Sequence, residues 1–524
     1  MTVQTVRARM SPLVMVAMIL AVSMSFIDQT IVAIASPDLQ RDLSLTRAEG
    51  EWVINAYLVA LAATFALGGR IADAWGRRTM VTVGVAGFAV SSALCGATPD
   101  TSWAETWLIS ARVAQGIFAA VLMPAAIAIV YGSTPAERRG RSMAMFFGLT
   151  GAFTALGPIL GNYLLEWSWR TIFWINLPVA AAALVTIAVA PIEQDRGNRR
   201  IDWLGAVIVA AGMALSVVGF SQAADWGWSS AMTWGCLVAG AALLTLFVVV
   251  ERRRPVPLVR LDIFRLRGFR VDSAVLFFVM IAFVPVSYFL SVYANVSLGM
   301  DAAGASHLLL LFFLGFLIAA QAGGHIFDAR GAKQTMLLGC VVGIAGFAWW
   351  ATQVTTLDAA DQHHPLLLAG AGIGFLLGPA SADAVSRARD ASYGEVTGIN
   401  QTVRNYGSAL GFALLGTLAT HVFTNRFSAS LREAGLGRDA AEELARDVAA
   451  GGSGGSGASS APARVREAVE RAVAEDFAEG IRAVLIAMAV ALAVAFVIAL
   501  RHPGDRPARE DATAPPQPTT VDQN

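Results

Sequence analysis

Asp28 and Arg112 are charged residues inside stretches that are otherwise apolar enough to cross a bilayer. A charge at the centre of a membrane costs about 2.5–3.5 kcal/mol on insertion scales. Such a group persists where it holds helices together or where it does chemistry. The chemistry open to a desolvated carboxylate is reversible proton binding, because burial raises an aspartate from about 3.9 toward neutrality. A guanidinium paired with it stabilises the charged form and opposes that shift. The two effects have opposite signs, and the sequence alone does not rank them. Asp28 and Arg112 are the candidates for proton coupling, and Phe26 and Gln115 on the same stretches are candidates to line a substrate cavity.

Polar side chains also interrupt apolar stretches in the second half of the chain. Tyr288, Gln321, Asn400 and Arg404 are candidates to line a substrate cavity. Asn400 and Arg404 are four residues apart and so share one helical face. Arg404 either faces that cavity or snorkels to the membrane surface. For Tyr288 and Gln321 ordinary interhelical hydrogen bonding is the competing reading. No other acid falls at comparable depth, so Asp28 is expected to be the single deep carboxylate.

Other chemistries find no support. GAGIGF at 370–375 imitates a nucleotide loop but lies inside an apolar stretch with no strand before it. A Walker lysine motif is missing, so ATP is not the energy source through this chain, and neither an enzyme nor a cofactor is expected. Cys95, Cys236 and Cys340 are odd in number and scattered, as packing residues would be. His363 and His364 adjoin Asp361 in what reads as a solvated turn, so no metal site is expected. Net charge is zero over 524 residues, which argues against a nucleic-acid partner.

The elements that position these residues are membrane helices. The chain is 56% hydrophobic and 15% charged, whereas soluble domains carry about 25% charged residues. Crossing about 30 Å of hydrocarbon takes roughly 20 apolar residues. Fourteen stretches qualify: 11–36, 50–69, 80–98, 105–131, 142–165, 171–191, 202–220, 231–250, 272–297, 303–326, 335–352, 364–386, 398–422 and 480–501. The first is too long for a signal peptide and carries Asp28 where cleavage would occur. Arginine and lysine gather in loops after even-numbered stretches: Arg77 and Arg78, Arg138 to Arg141, seven arginines from Arg252 to Arg270, then Arg330 and Lys333. Those loops and both termini are therefore expected to be cytoplasmic.

This gives a six, two, six organisation. Residues 1–10 are a cytoplasmic N-terminus, 11–191 a first six-helix half, 192–270 two additional spans with connectors, 271–501 a second half, and 502–524 a disordered tail. The external loop 424–479 reads as two polar helical stretches joined by GGSGGSGASSAPA, without periodicity able to build a core.

GGRIADAWGRR at 68–78 returns as GGHIFDARGAK at 323–333, at a period of 323 − 68 = 255 residues. Gly69, Asp73 and Gly76 match Gly324, Asp328 and Gly331, and Arg78 matches Lys333, with Arg77 adjoining. The glycines permit tight turns and close helix approach, and an aspartate can cap a neighbouring helix or pair with an arginine. The repeat marks a duplicated chain and reads as a gate. In the fifth stretch, Gly157 and Gly161 form a small-residue face, and Pro158 removes a backbone donor, which predicts a bend.

Taken in order, these segments resemble the major facilitator superfamily, in particular its fourteen-span drug:proton antiporters. The resemblance covers about 10–501 and rests on FIDQTIVAIASPDL (26–39), GRIADAWGRR (69–78), RVAQGIFAAVLMP (112–124), GPILGN (157–162), WRTIFWINLP (169–178) and GINQTVRNYGSALG (398–411). Phe153 and Asn162 depart from the antiporter pattern, which weakens the export reading that GPILGN carries. The resemblance implies an all-α polytopic fold of two six-helix halves with two extra central helices, in a bacterial plasma (inner) membrane. It implies a monomer that exchanges protons for drug-like amphiphilic small molecules by alternating access, with the loop motif as gate and Arg112 facing the central cavity. A transporter dedicated to one metabolite, such as an amino acid, peptide or siderophore, and a non-transporting membrane receptor or scaffold are the alternatives.

Overall fold

The computed structural model describes residues 11–135, 138–192, 201–254, 257–387, 393–449 and 463–504, and no strand occurs among them. The helices are α1 (Pro12–Asp42), α2 (Arg47–Trp75), α3 (Arg77–Gly96), α4 (Ala104–Gly132), α5 (Arg139–Leu165), α6 (Thr171–Trp174), α7 (Asn176–Val189), α8 (Trp203–Ser221), α9 (Ala223–Trp226), α10 (Ala231–Glu251), α11 (Arg267–Val296), α12 (Ala302–Arg330), α13 (Ala332–Gln353), α14 (Ala359–Arg387), α15 (Tyr393–Glu433), α16 (Arg438–Ala449) and α17 (Ala463–Leu500). Thirteen spans among the described residues are long and apolar enough to cross a membrane. Each coincides with an expected stretch, and the remaining one, 142–165, is the 27-residue helix α5. The sixth span is α6 and α7 taken together, Thr171–Val189.

Local sequence sets several helix starts. Ser11 accepts a hydrogen bond from the Leu13 N–H with Pro12 in the first turn, and Thr46 with Glu49 forms a reciprocal capping box at α2. Asp301 caps α12 through the Gly304 N–H at 2.8 Å. The two copies of the repeat fold alike: α2 turns into α3 through Gly76 at φ +98°, and α12 into α13 through Gly331 at φ +89°. A side chain is strained at such angles, which explains the glycine in both copies.

The two halves meet where α5 packs on α12 and α14 and where α15 packs on α2 and α4. The two additional spans flank this seam. Helix α8 lies against both α2 and α15, and α10 packs on α8. Asn55 donates to Gln222 Oε1 at 3.4 Å, and the Trp228 indole donates to Thr417 Oγ1 at 2.7 Å.

Helix α5 runs continuously through residues 157 and 158. Neighbouring helices can sustain a proline-containing helix in a membrane. Two expectations need correction. His363 and His364 lie in the opening turns of α14, not in a loop. Finally, the segment beyond 424 does build a small core: Phe423, Phe427, Leu431, Ala441 and Ala445 are buried together. Its source is legible in α16, where Ala441, Leu444, Ala445 and Val448 repeat at helical spacing. At 41 residues α15 is about 60 Å long, twice what the hydrocarbon requires, so its outer end carries this core. The linker 451–462 lies outside the described residues, as does the tail beyond 504.

Candidate functional site

Asp28 of α1 and Arg112 of α4 form a direct ion pair, Nη1 to Oδ2 at 2.5 Å, with the two side chains 0% and 1% exposed. Gln115 closes the ring. Its Nε2 donates to Asp28 Oδ1 at 2.9 Å, and its Oε1 accepts from Arg112 Nη1 at 2.8 Å. Arg112 Nε donates to the Val53 carbonyl at 2.9 Å, and the guanidinium lies 4.5 Å from the centre of the Tyr57 ring. Each charge in this site is thus matched by an opposite charge or a dipole, the condition for holding ions in low dielectric. Phe26 is half-buried two residues before Asp28 and packs on the core of the bundle.

A second group of polar residues lies along the seam. Arg404 is 4% exposed, so it does not snorkel. Its Nη1 donates to Gln401 Oε1 at 2.6 Å, and its guanidinium sits 4.6 Å from the Phe147 ring of the opposite half. Asn400 is buried with neither amide atom hydrogen-bonded, and Arg404 Nε is likewise without a partner among the described residues. Gln321 reaches the same seam, its amide nitrogen 3.6 Å from where a β-carbon on Gly148 would stand. Tyr288 stands apart. It is exposed on α11 and packs edge-on against Phe412.

On the repeat-bearing face both copies of the loop motif bridge the two halves. Asp73 Oδ2 accepts from the Glu395 N–H at the start of α15 at 3.0 Å, while its Oδ1 pairs with Arg77 at 2.9 Å. Arg78 donates instead to the carbonyls of Ile187 and Ala188 at the end of α7, at 3.2 and 2.9 Å. Asp328 accepts from the Gly140 and Arg141 N–H groups at the start of α5, at 3.0 and 3.2 Å. Gly324 lets this happen, since a β-carbon there would come 2.7 Å from Arg141 Cα. Gly69 is buried in α2, and Lys333 sits 3.4 Å from where a β-carbon on Gly504 would stand. Gly157 and Gly161 face α1: a β-carbon on Gly157 would overlap the Thr30 hydroxyl, and one on Gly161 would stand 3.2 Å from Ile31. The side chain of Pro158 lies outside the described residues.

The sequence model described as Major Facilitator Superfamily matches residues 18–412. The chain belongs to this superfamily. Superfamily members are membrane transporters of small molecules, not enzymes, and the chain is a multi-pass membrane protein of that kind. It is 30% identical over 437 residues to the tetracenomycin C resistance and export protein of Streptomyces glaucescens, covering 82% of this chain and 80% of that one. It is 31% identical over 402 residues to a puromycin resistance protein of Streptomyces alboniger, covering 75% and 79%. Among solved superfamily structures, a double-tryptophan mutant of the xylose symporter XylE superposes with a TM-score of 0.60 at 12% identity over 94% of this chain and 96% of that one. The human organic anion transporter MFSD10 superposes at 0.55 and 15% identity over 95% and 100%. At these identities the structural likeness concerns the fold.

Sequence reasoning missed several partners. Tyr57 beneath Arg112 and Phe147 beneath Arg404 carry no motif that announces them. Cys95, beyond its packing role, brings its Sγ to 3.8 Å from Gln115 Oε1. Asp28 is also not alone: Asp272 and Asp383 are 0% and 1% exposed in the second half, beside Arg387 and His502. Both acids fall near helix ends, where they look interfacial until the residues that cover them are known.

Proposed function

We propose that this transporter exports drug-like or antibiotic amphiphilic small molecules in exchange for protons, by alternating access between two six-helix halves. The observation that carries the reading is the buried Asp28, Arg112 and Gln115 ring. As it stands the ring is neutral. A proton delivered to Asp28 cancels the carboxylate and leaves Arg112 as an uncompensated cation. That repels a bound cationic substrate and loosens α1 from α4, which couples proton entry to release and to rearrangement of the first half. Asn400 and Arg404 supply unpaired polar groups on the facing half, with Gln321 beside them, and Phe26 and Tyr288 offer aromatic surface to an amphiphile.

The loop motifs act as gates that hold the repeat-bearing face shut, and this face is read as cytoplasmic, with both termini on that side. The N-terminal half is taken as 11–191, the additional spans and connectors as 192–270 and the second half as 271–501. The monomer is complete in this scheme, and the membrane is the bacterial plasma membrane. Export fits the relatives named for resistance to tetracenomycin C and puromycin. One proton crossing about 100 mV releases about 2.3 kcal/mol, and each pH unit adds about 1.4 kcal/mol, enough for a few decades of gradient.

The test is transport by Asp28→Asn in an efflux-deficient host against a panel of toxic compounds. Loss of proton-driven efflux is expected in variant protein that is recovered from the membrane in inserted form, and undiminished efflux by that variant would overturn the assignment. Resistance of the wild type to one compound alone would favour a dedicated metabolite exporter.

A further inference from the structure

A buried ionic cluster in the second half has no part in the scheme above. Asp383 Oδ2 on α14 accepts from Arg387 Nε at 2.5 Å and lies 3.0 Å from His502 Nε2, just past the end of α17. The same imidazole nitrogen is 3.4 Å from Asp272 Oδ1 on α11, and Arg387 Nε is 4.0 Å from Asp272 Oδ2. Asp272 is 0% exposed, and neither of its oxygens has a hydrogen bond among the described residues. Among the described residues beside these elements, Arg267, Arg270 and Arg501 are exposed, and Lys333 of α13 lies against Gly504 without an ion pair to either carboxylate.

Charge counting then decides what the cluster lacks. Among the described residues two carboxylates pair with one permanent cation, so with a neutral imidazole this buried group carries one uncompensated negative charge. An isolated buried charge of that kind is neutralised rather than retained. We propose that Asp272, Asp383 and His502 form a second proton-binding site, on the repeat-bearing face of the second half, which holds one proton while the segment around His502 is docked.

The proton has two resting places. On Asp272 it gives that carboxyl the donor that its orphaned oxygens lack. On His502 it makes an imidazolium between two carboxylates. The Gly504 N–H donates to His502 Nδ1 at 3.2 Å, a contact that only a neutral imidazole accepts, so moving the proton to His502 releases the chain at Gly504. Burial disfavours the charged imidazole, but the two nearby carboxylates of Asp272 and Asp383, with the hydrogen bond to Asp383, outweigh it and hold His502 up to about 9. The three side chains have the types and spacing of a cation site. Arg387 weighs against a metal ion, because a divalent ion would have to share both carboxylates with a permanent guanidinium, whereas a proton joins them without displacing it.

The experiment uses the full-length protein in lipid nanodiscs, with infrared spectra of carbon-13-labelled aspartate and nitrogen-15 histidine spectra followed against pH. At neutral pH the wild type is expected to show either a protonated carboxyl that disappears in Asp272→Asn or an imidazolium that disappears in His502→Gln, and one proton is released per chain as pH rises. Asp28→Asn leaves that signal in place, which separates this site from the one in the first half. A neutral imidazole together with fully ionised Asp272 at neutral pH overturns the proposal, and this reading needs only the wild type. Stoichiometric binding of Mn²⁺ that requires Asp272 and Asp383 overturns it in favour of a metal site.

Discussion

Asp73 and Asp328 each cap a helix that belongs to the other half of the chain. Asp73 meets the first turn of α15 at 3.0 Å, and Asp328 meets the first turn of α5 at 3.0 and 3.2 Å. Both place a negative charge where a helix has unpaired N–H groups and a positive dipole end. The duplication has thus produced two reciprocal helix caps between the halves. They differ in support: Asp73 is also held by Arg77, while Asp328 relies on the backbone groups of α5 and the close approach at Gly324.

Loss of either capping charge is expected to favour opening of the repeat-bearing face. A carboxylate at a partly buried helix start contributes about 0.3–2 kcal/mol, so Asp73→Asn or Asp328→Asn should raise the open population by up to about thirtyfold. The pair act on different helices, so the double variant should show nearly additive effects. Distances between spin labels on α2 and α15 read this directly. An unchanged distribution in both single variants would remove the gating role.

The Asp28 and Arg112 pair makes a different prediction, because removing one member leaves the other charge buried. Arg112→Gln is expected to lose about 3–5 kcal/mol of stability, and Arg112→Gln combined with Asp28→Asn to recover most of it. Transport should be absent in both. A thermal midpoint for the double variant as low as that for Arg112→Gln would show that the guanidinium stabilises the bundle through Val53 and Tyr57 instead.

Close packing of α5 on α1 can be tested by rescue. A β-carbon on Gly157 would overlap only the end of the Thr30 side chain, whereas one on Gly68 would overlap the Ala120 backbone carbonyl. Gly157→Ala should therefore lower the thermal midpoint, by about 1–3 kcal/mol of stability, and Thr30→Ala should restore it. No side-chain truncation should rescue Gly68→Ala. Failure of Thr30→Ala to help would mean that the Ile27 carbonyl, 3.1 Å from the same point, sets the limit.

These cases mark what was legible in the sequence. Span positions followed from length and apolarity, and the repeat glycines from the positive φ that Gly76 and Gly331 both require. Asp28 and Arg112 were legible because each lies deep in its own helix, far from any end. Asp272 and Asp383 were not, because a carboxylate near a helix end is ordinarily solvated, and only the approach of His502 and Arg387 from other elements buries them. The depth of Arg404 was undecidable for the same reason: what keeps it inside is Phe147 of the other half. Pairings between halves are tertiary facts, and no spacing along the chain encodes them.

His502 also predicts how stability depends on pH. Its pKa stands at about 9 in the folded chain against an ordinary 6.5, so the folded state binds the proton more tightly than the unfolded one. The resulting stabilisation is fully present below 6.5 and is lost as pH rises through about 9. Thermal midpoints of the wild type and His502→Gln, both in nanodiscs, should differ most on the acidic side of that window and converge above it. Carboxylates elsewhere titrate in both proteins and cancel in the difference. A gap that stays constant across the window would assign His502 a packing role, and one that widens with rising pH would reverse the sign of its coupling to Asp272 and Asp383.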